Sequence, residues 1–158
     1  MESVTEGYWS VRNSIKIVIM SVSLDSLLTD FSRAPGTTEQ VLETVEKTLG
    51  IKLPDDYRRF FIQSNGGEGF VGSHYVILWK VEELNQLNRD YQVGDYAPGF
   101  LLFGSSGGGD GFAFDTKITP YRVMQVPFIG MSREDAFFVA ESFTRLLERM
   151  IEIDGPLF

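Results

Sequence analysis

Three stretches of this chain hold residue types that could do chemistry. Asp55-Asp56 and Glu134-Asp135 are adjacent carboxylates, the groups a hydrolase shares between acid and base roles. Residues on consecutive helical positions point apart, however, so neither pair converges well on one reaction centre. Both pairs also stand where helices are expected to begin, and negative charge there meets the positive end of the helix dipole. His74 is the one histidine. It forms no two-histidine metal motif, and no serine or cysteine near it stands in a nucleophile elbow. A strand position at a sheet edge accounts for it. No cofactor or metal is expected.

The third stretch is Gly104 to Asp115, GSSGGGDGFAFD. A phosphate cradle needs a helix behind it and usually a Gly-Lys-Ser/Thr ending, whereas an apolar strand follows here. The GGGDGFAFD run is similar to a calcium-binding nonapeptide, but those repeats work stacked and this is a single copy. Asp110 and Asp115 alone do not supply the six or more oxygens that calcium takes. A hairpin loop remains, with Gly108 and Gly109 expected to supply positive φ.

The elements that would carry these residues can be read from periodicity and punctuation. Ile15, Ile17 and Ile19 suggest a short strand in an otherwise unpatterned start. Ser23 precedes Leu24, Leu27, Leu28 and Phe31, a helical stripe. Thr37 with Gln40 reads as a capping box for a helix whose apolar face is Val41, Leu42, Val45 and Leu49. Glu43 is placed to pair with Lys47 there, and Gly50 closes the helix. Pro54 opens the next helix, which carries Tyr57, Phe60 and Phe61 on one stripe and ends at Asn65-Gly66-Gly67. Glu68 to Gly72 reads as a loop, and His74 to Trp79 as a strand. Val81 to Tyr91 looks helical up to Gly94, and Asp95 to Gly99 is a turn-rich linker. Phe100–Phe103, Phe112–Phe114 and Tyr121–Phe128 are strands, with Pro127 at an edge or end. Ser132 with Asp135 predicts a cap for a long helix from Ala136 to Met150.

The chain has 158 residues and 43% hydrophobic residues, enough for one self-sufficient core. Thirteen Phe point to a core packed by rings. Without Cys there is no disulfide framework, thiolate zinc site or thiol nucleophile. The net charge of −8 opposes non-specific nucleic-acid binding and suits a basic partner or simple solubility. No apolar run reaches the roughly 20 residues of a membrane helix, and no signal peptide is evident. A cytoplasmic protein that binds neither membrane nor nucleic acid is expected. Met20 precedes the first clean element, so residues 1–19 are expected to form a peripheral extension to a domain spanning 20–158.

Two motifs go beyond composition. Leu53 to Gly69, LPDDYRRFFIQSNGGEG, resembles the signature helix of the SUKH superfamily, and Pro98 to Asp115, PGFLLFGSSGGGDGFAFD, resembles that family's second core motif. The closing Phe-rich helix with Ser142-Phe143 adds to the likeness, which covers roughly residues 37–151. The family holds Smi/Knr-type regulators of fungal cell-wall assembly and bacterial immunity proteins. The resemblance implies a single α+β domain, helices packed around a mostly antiparallel sheet. It also implies a non-catalytic module that binds a protein partner.

The fungal regulators carry long disordered flanks, and this compact chain leans toward the immunity branch. Its partner would then be a basic toxin domain of nuclease or deaminase type. A regulatory adaptor is the alternative, and a small hydrolase is a weaker one, since no nucleophile–base pair is evident. A toxin gene next to this one would separate antidote from adaptor. The contact residues expected from loop position are Glu68, Tyr96 and Asp110.

Overall fold

The computed structural model describes residues 23–158. The expected extension 1–19, the strand at Ile15–Ile19 and the start at Met20 lie outside the described residues. Seven strands form a sheet in chain order, with every neighbouring pair antiparallel. They are β1 (Phe31–Arg33), β2 (Gly67–Val71), β3 (His74–Leu78), β4 (Phe100–Ser105), β5 (Asp110–Asp115), β6 (Arg122–Pro127) and β7 (Phe137–Ala140). The helices among the described residues are α1 (Leu24–Leu27), α2 (Glu39–Leu49), α3 (Asp55–Gln63), α4 (Leu84–Asp90), α5 (Val93–Tyr96) and α6 (Phe143–Glu152), with a 3-10 turn at Val81–Glu83 leading into α4. The α+β architecture with an antiparallel sheet is therefore as expected.

The signature helix α3 is the hub. Pro54 precedes it, and Asp55 and Asp56 occupy its first turn. Tyr57, Phe60 and Phe61 are fully buried. The Tyr57 ring lies 4.9 Å from Phe143 of α6, 5.4 Å from Phe103 of β4 and 5.0 Å from Phe114 of β5. Such tilted and edge-on arrangements suit the quadrupoles of the rings. The Tyr57 hydroxyl is buried without a hydrogen-bond partner, and burial pushes its pKa well above the ordinary value. Asp56 ties α3 to α6, its Oδ2 accepting from the Thr144 amide at 2.8 Å.

Alternation places Leu101, Phe103, Phe112 and Phe114 in this main core on one face of the sheet. Leu102 and Ala113 point the other way, into a smaller cluster with Val93, Ala97, Phe100, Val126 and Met131. There α4 lies along β4, where Asn88 donates to the Leu102 carbonyl at 2.9 Å and accepts from its amide at 2.8 Å. One side chain thus stands in for the strand partner that β3, paired with β4 only at Ile77 and Leu78, does not provide.

Several local expectations are corrected. The helix after Ser23 is a single turn, and Phe31 belongs to β1 because it pairs with Gly69. The cap of α2 is Thr38 rather than Thr37, accepting from the Val41 amide at 3.3 Å. No Glu43–Lys47 ion pair forms, and Glu46 instead pairs with Arg58. Helix α3 ends because Ser64 turns extended, not through a left-handed glycine. The glycines after it serve the sheet. At Gly67, with φ 142°, a Cβ would stand 2.4 Å from the Ser32 carbonyl of β1. The expected loop at Glu68–Gly72 is therefore mostly strand.

Further along, Gly94 lies inside α5 rather than ending the preceding helix. The expected long helix from Ala136 is split. Phe137–Ala140 pairs with β6 as an edge strand, and Ser142 caps α6 by accepting from the Arg145 amide at 3.1 Å. Ser132 and Asp135 do bond each other, at 2.8 Å, but in the turn before β7.

Candidate partner-binding surface

Strands β2 and β3 direct Val71, Val76 and Leu78 into the core, so their alternate residues Glu68, Phe70, Tyr75 and Ile77 face the other way. Over β4 to β6 that second face is covered by the smaller cluster. Over β2 and β3 it is open among the described residues, with Phe70 50% and Tyr75 37% exposed. The two rings meet edge to face, 5.3 Å apart at 77°.

Tyr75 is held on three sides. Its hydroxyl donates to Glu68 Oε2 at 2.8 Å. That bond, with a little burial and the carboxylate charge, raises the phenol above its ordinary pKa. Its ring rests against the loop between β4 and β5. There Gly107 has φ 77°, and a Cβ on it would stand 2.8 Å from Tyr75 Cδ1. Phe70 closes the third side. The glycine loop is thus a hairpin that presses on Tyr75, closed by the Ser106 amide donating to the Asp110 carbonyl at 2.9 Å. Positive φ falls at Gly107, not at Gly108 or Gly109 as expected.

Asp110 opens β5 beside this loop, and its Oδ2 accepts from Gln125 at 3.1 Å. A groove of about 340 Å³ runs from Tyr75 past Asp110, Phe112 and Gln125 to Phe158. His74 sets the far wall. Its Nδ1 lies 2.8 Å from the Met150 carbonyl and its Nε2 2.6 Å from the Gly155 carbonyl. It therefore fastens the end of α6 and the tail, whose Phe158 ring stacks 4.2 Å from Phe137. The sheet-edge position expected for it is corrected, because β3 lies between β2 and β4.

Of the expected contact residues, Glu68 bonds Tyr75 on the open face, whereas Asp110 shares the main-core face of the sheet with Phe112 and bonds Gln125 there. Both begin or lie within strands rather than loops. Tyr96 is 55% exposed but sits at the end of α5, before the start of β4. Asp110 is at the far end of β4 and β5, about 15–20 Å away for strands of this length. Phe70 was missed, because Gly-Glu-Gly before it reads as a turn.

Among the described residues no Lys or Arg pairs with Glu68 or Asp110. The ion pairs found join Arg33 to Asp25, Arg58 to Glu39 and Glu46, Arg133 to Asp115, and Arg145 to Glu148 and Glu152. Asp115 is buried and gripped by Arg133 at 3.1 and 2.7 Å, a structural use. A larger open groove of about 500 Å³ lies at the end of α2, lined by Glu43, Glu46, Lys47, Gly50, Ile51 and Lys52. Its charges are mixed, and Glu46 is spent on Arg58 and the Leu53 amide. It presents no uncovered rings.

No helix among the described residues is long and apolar enough to cross a membrane. Comparison with known proteins finds similarity to the uncharacterized protein YnaB of Bacillus subtilis (strain 168). The two are 25% identical over 121 residues, which cover 75% of this chain and 79% of that protein. The family model described as "SMI1 / KNR4 family (SUKH-1)" matches residues 36–149. That match takes in α3, the glycine hairpin and the first two turns of α6, the parts that carry the resemblance read from sequence, and the chain belongs to the SMI1/KNR4 (SUKH-1) family.

Proposed function

We propose that this chain is a non-catalytic immunity protein that binds and neutralises a basic bacterial toxin domain in the cytoplasm. The observation that carries the reading is the exposed carboxylate Glu68 bonded to the exposed ring of Tyr75, with Asp110 a second carboxylate on the opposite face of the sheet. No cation of the described chain pairs with them. On a chain of net charge −8 they suit a partner with the basic surface that grips nucleic acid. Family membership supports a protein partner, and similarity to a Bacillus protein favours the bacterial side of the family.

The carboxylates set the rate of encounter, while exposed rings supply the anchor energy. Tyr96, on a separate surface, is a second, peripheral contact in this reading. The test is to co-express the chain with the toxin-like product of the adjacent gene and to measure growth and complex formation. Rescue with a stable complex supports the reading. No rescue, no complex and a turnover activity in the purified protein would together overturn it.

A further inference from the structure

We propose that the open face of the β2–β3 hairpin receives an arginine side chain of the protein partner, held between Glu68 and the rings of Tyr75 and Phe70. The proposal rests on the protein-binding reading above and names the chemistry of the contact.

An exposed aromatic pair on a strand face gains from being covered, since its apolar area then leaves water. Covering Phe70 and Tyr75 also covers Glu68, because the Tyr75 hydroxyl bonds its Oε2. That phenol donates a hydrogen bond but brings no positive charge. A carboxylate buried under a partner without a cation is strongly unfavourable. The described chain supplies no cation to Glu68. In this proposal the partner brings the cation that the described residues do not supply.

Arginine meets the geometry better than lysine. Its planar guanidinium can lie on an aromatic face and donate to a carboxylate in the same pose. Within this chain Arg133 does both, bonding Asp115 while lying 4.6 Å from the centre of the Phe100 ring. At the open face the exposed rings of Phe70 and Tyr75 and the carboxylate of Glu68 repeat the ingredients without the arginine. The receptacle is preformed: Tyr75 is fixed by Glu68, Phe70 and the Gly107 turn, so little rotamer freedom is lost on binding.

The test uses N-acetyl-arginine amide, with N-acetyl-lysine amide for comparison, titrated into the whole protein labelled with 15N. Arginine amide is expected to shift the amides of residues 68–77 selectively, with about twofold or larger shifts than lysine amide, reflecting the stacking that lysine lacks. Tyr75→Ser and Glu68→Gln should each abolish the selectivity while leaving the spectrum of the core intact. Shifts that are absent, or spread evenly over the acidic surface, would overturn the proposal. Failure of toxin rescue with selective arginine shifts would sink the immunity reading and keep this site. Rescue that survives Tyr75→Ser, with no selective shifts, would do the reverse.

Discussion

Glu68 and Tyr75 are diagonal neighbours across the β2–β3 pair, and the phenol reaches back 2.8 Å to the carboxylate. The bond fixes an exposed ring and an exposed charge as one unit. It also makes Tyr75 titrate above an ordinary tyrosine, the hydrogen bond to Glu68 being the largest cause. Its stabilising contribution is therefore fully present below the ordinary tyrosine range near pH ~10 and is lost as pH rises through the raised folded value. Glu68→Ala should return the Tyr75 titration to the ordinary range. A 13C NMR titration of the tyrosine ring carbons would show it, and an unchanged midpoint would mean that the bond is not formed in solution.

The glycine hairpin makes a sharper demand at one position than at its neighbours. Gly107 combines positive φ with contact against the Tyr75 ring, whereas a Cβ at Gly109 meets nothing within 4 Å. Gly107→Ala should lower stability by about 1–3 kcal/mol through backbone strain. Gly109→Ala should stay within about 0.5 kcal/mol of the parent. Chemical denaturation of the two variants decides it, and equal losses would refute the assignment.

Asp115 is buried and its charge depends on Arg133, which donates to both carboxylate oxygens. Removing the guanidinium leaves that carboxylate without a counter-charge. Arg133→Ala should destabilise the fold by about 2–3 kcal/mol, below the value for a fully buried pair because Arg133 keeps some solvent contact. An effect under about 0.5 kcal/mol, typical of a surface pair, would contradict this.

Tyr57 is the tyrosine of the signature motif, yet its hydroxyl is buried without a partner among the rings. Tyr57→Phe should leave stability unchanged or raise it by up to about 1 kcal/mol, since an unsatisfied buried hydroxyl is relieved. A clear loss would show that the hydroxyl has a partner in solution. The melting temperature of the variant reports this directly.

The parts of the fold that were legible in sequence are those in which local chemistry and burial agree. Pro54, the acidic first turn and the ring stripe of α3 all point to one helix, and all three rings are buried. Strand β2 was not legible. Gly67-Glu68-Gly69 carries turn residues, and the glycines are there because β1 approaches closely, a tertiary cause with no local signature. The spacing of Ala136, Phe137 and Ala140 fits a helix, yet pairing with β6 makes Phe137–Ala140 a strand. Of the surface, the acidic residues could be guessed. That Glu68 shares a face with Tyr75 while Asp110 faces the other way follows from strand register, which one chain's residue types do not reveal.

The central claim is that Glu68 and Tyr75 form the binding surface for a basic toxin domain, with Asp110 adding to the negative field from the other face of the sheet. The most direct measurement is the association and dissociation kinetics of the complex with the toxin-like product of the adjacent gene, at several salt concentrations. Glu68→Lys with Asp110→Lys should slow association about tenfold or more and flatten its salt dependence with the fold retained. Tyr75→Ala should mainly speed dissociation. Kinetics unaltered by all three substitutions, in a complex that still forms, would place the partner elsewhere and contradict the account.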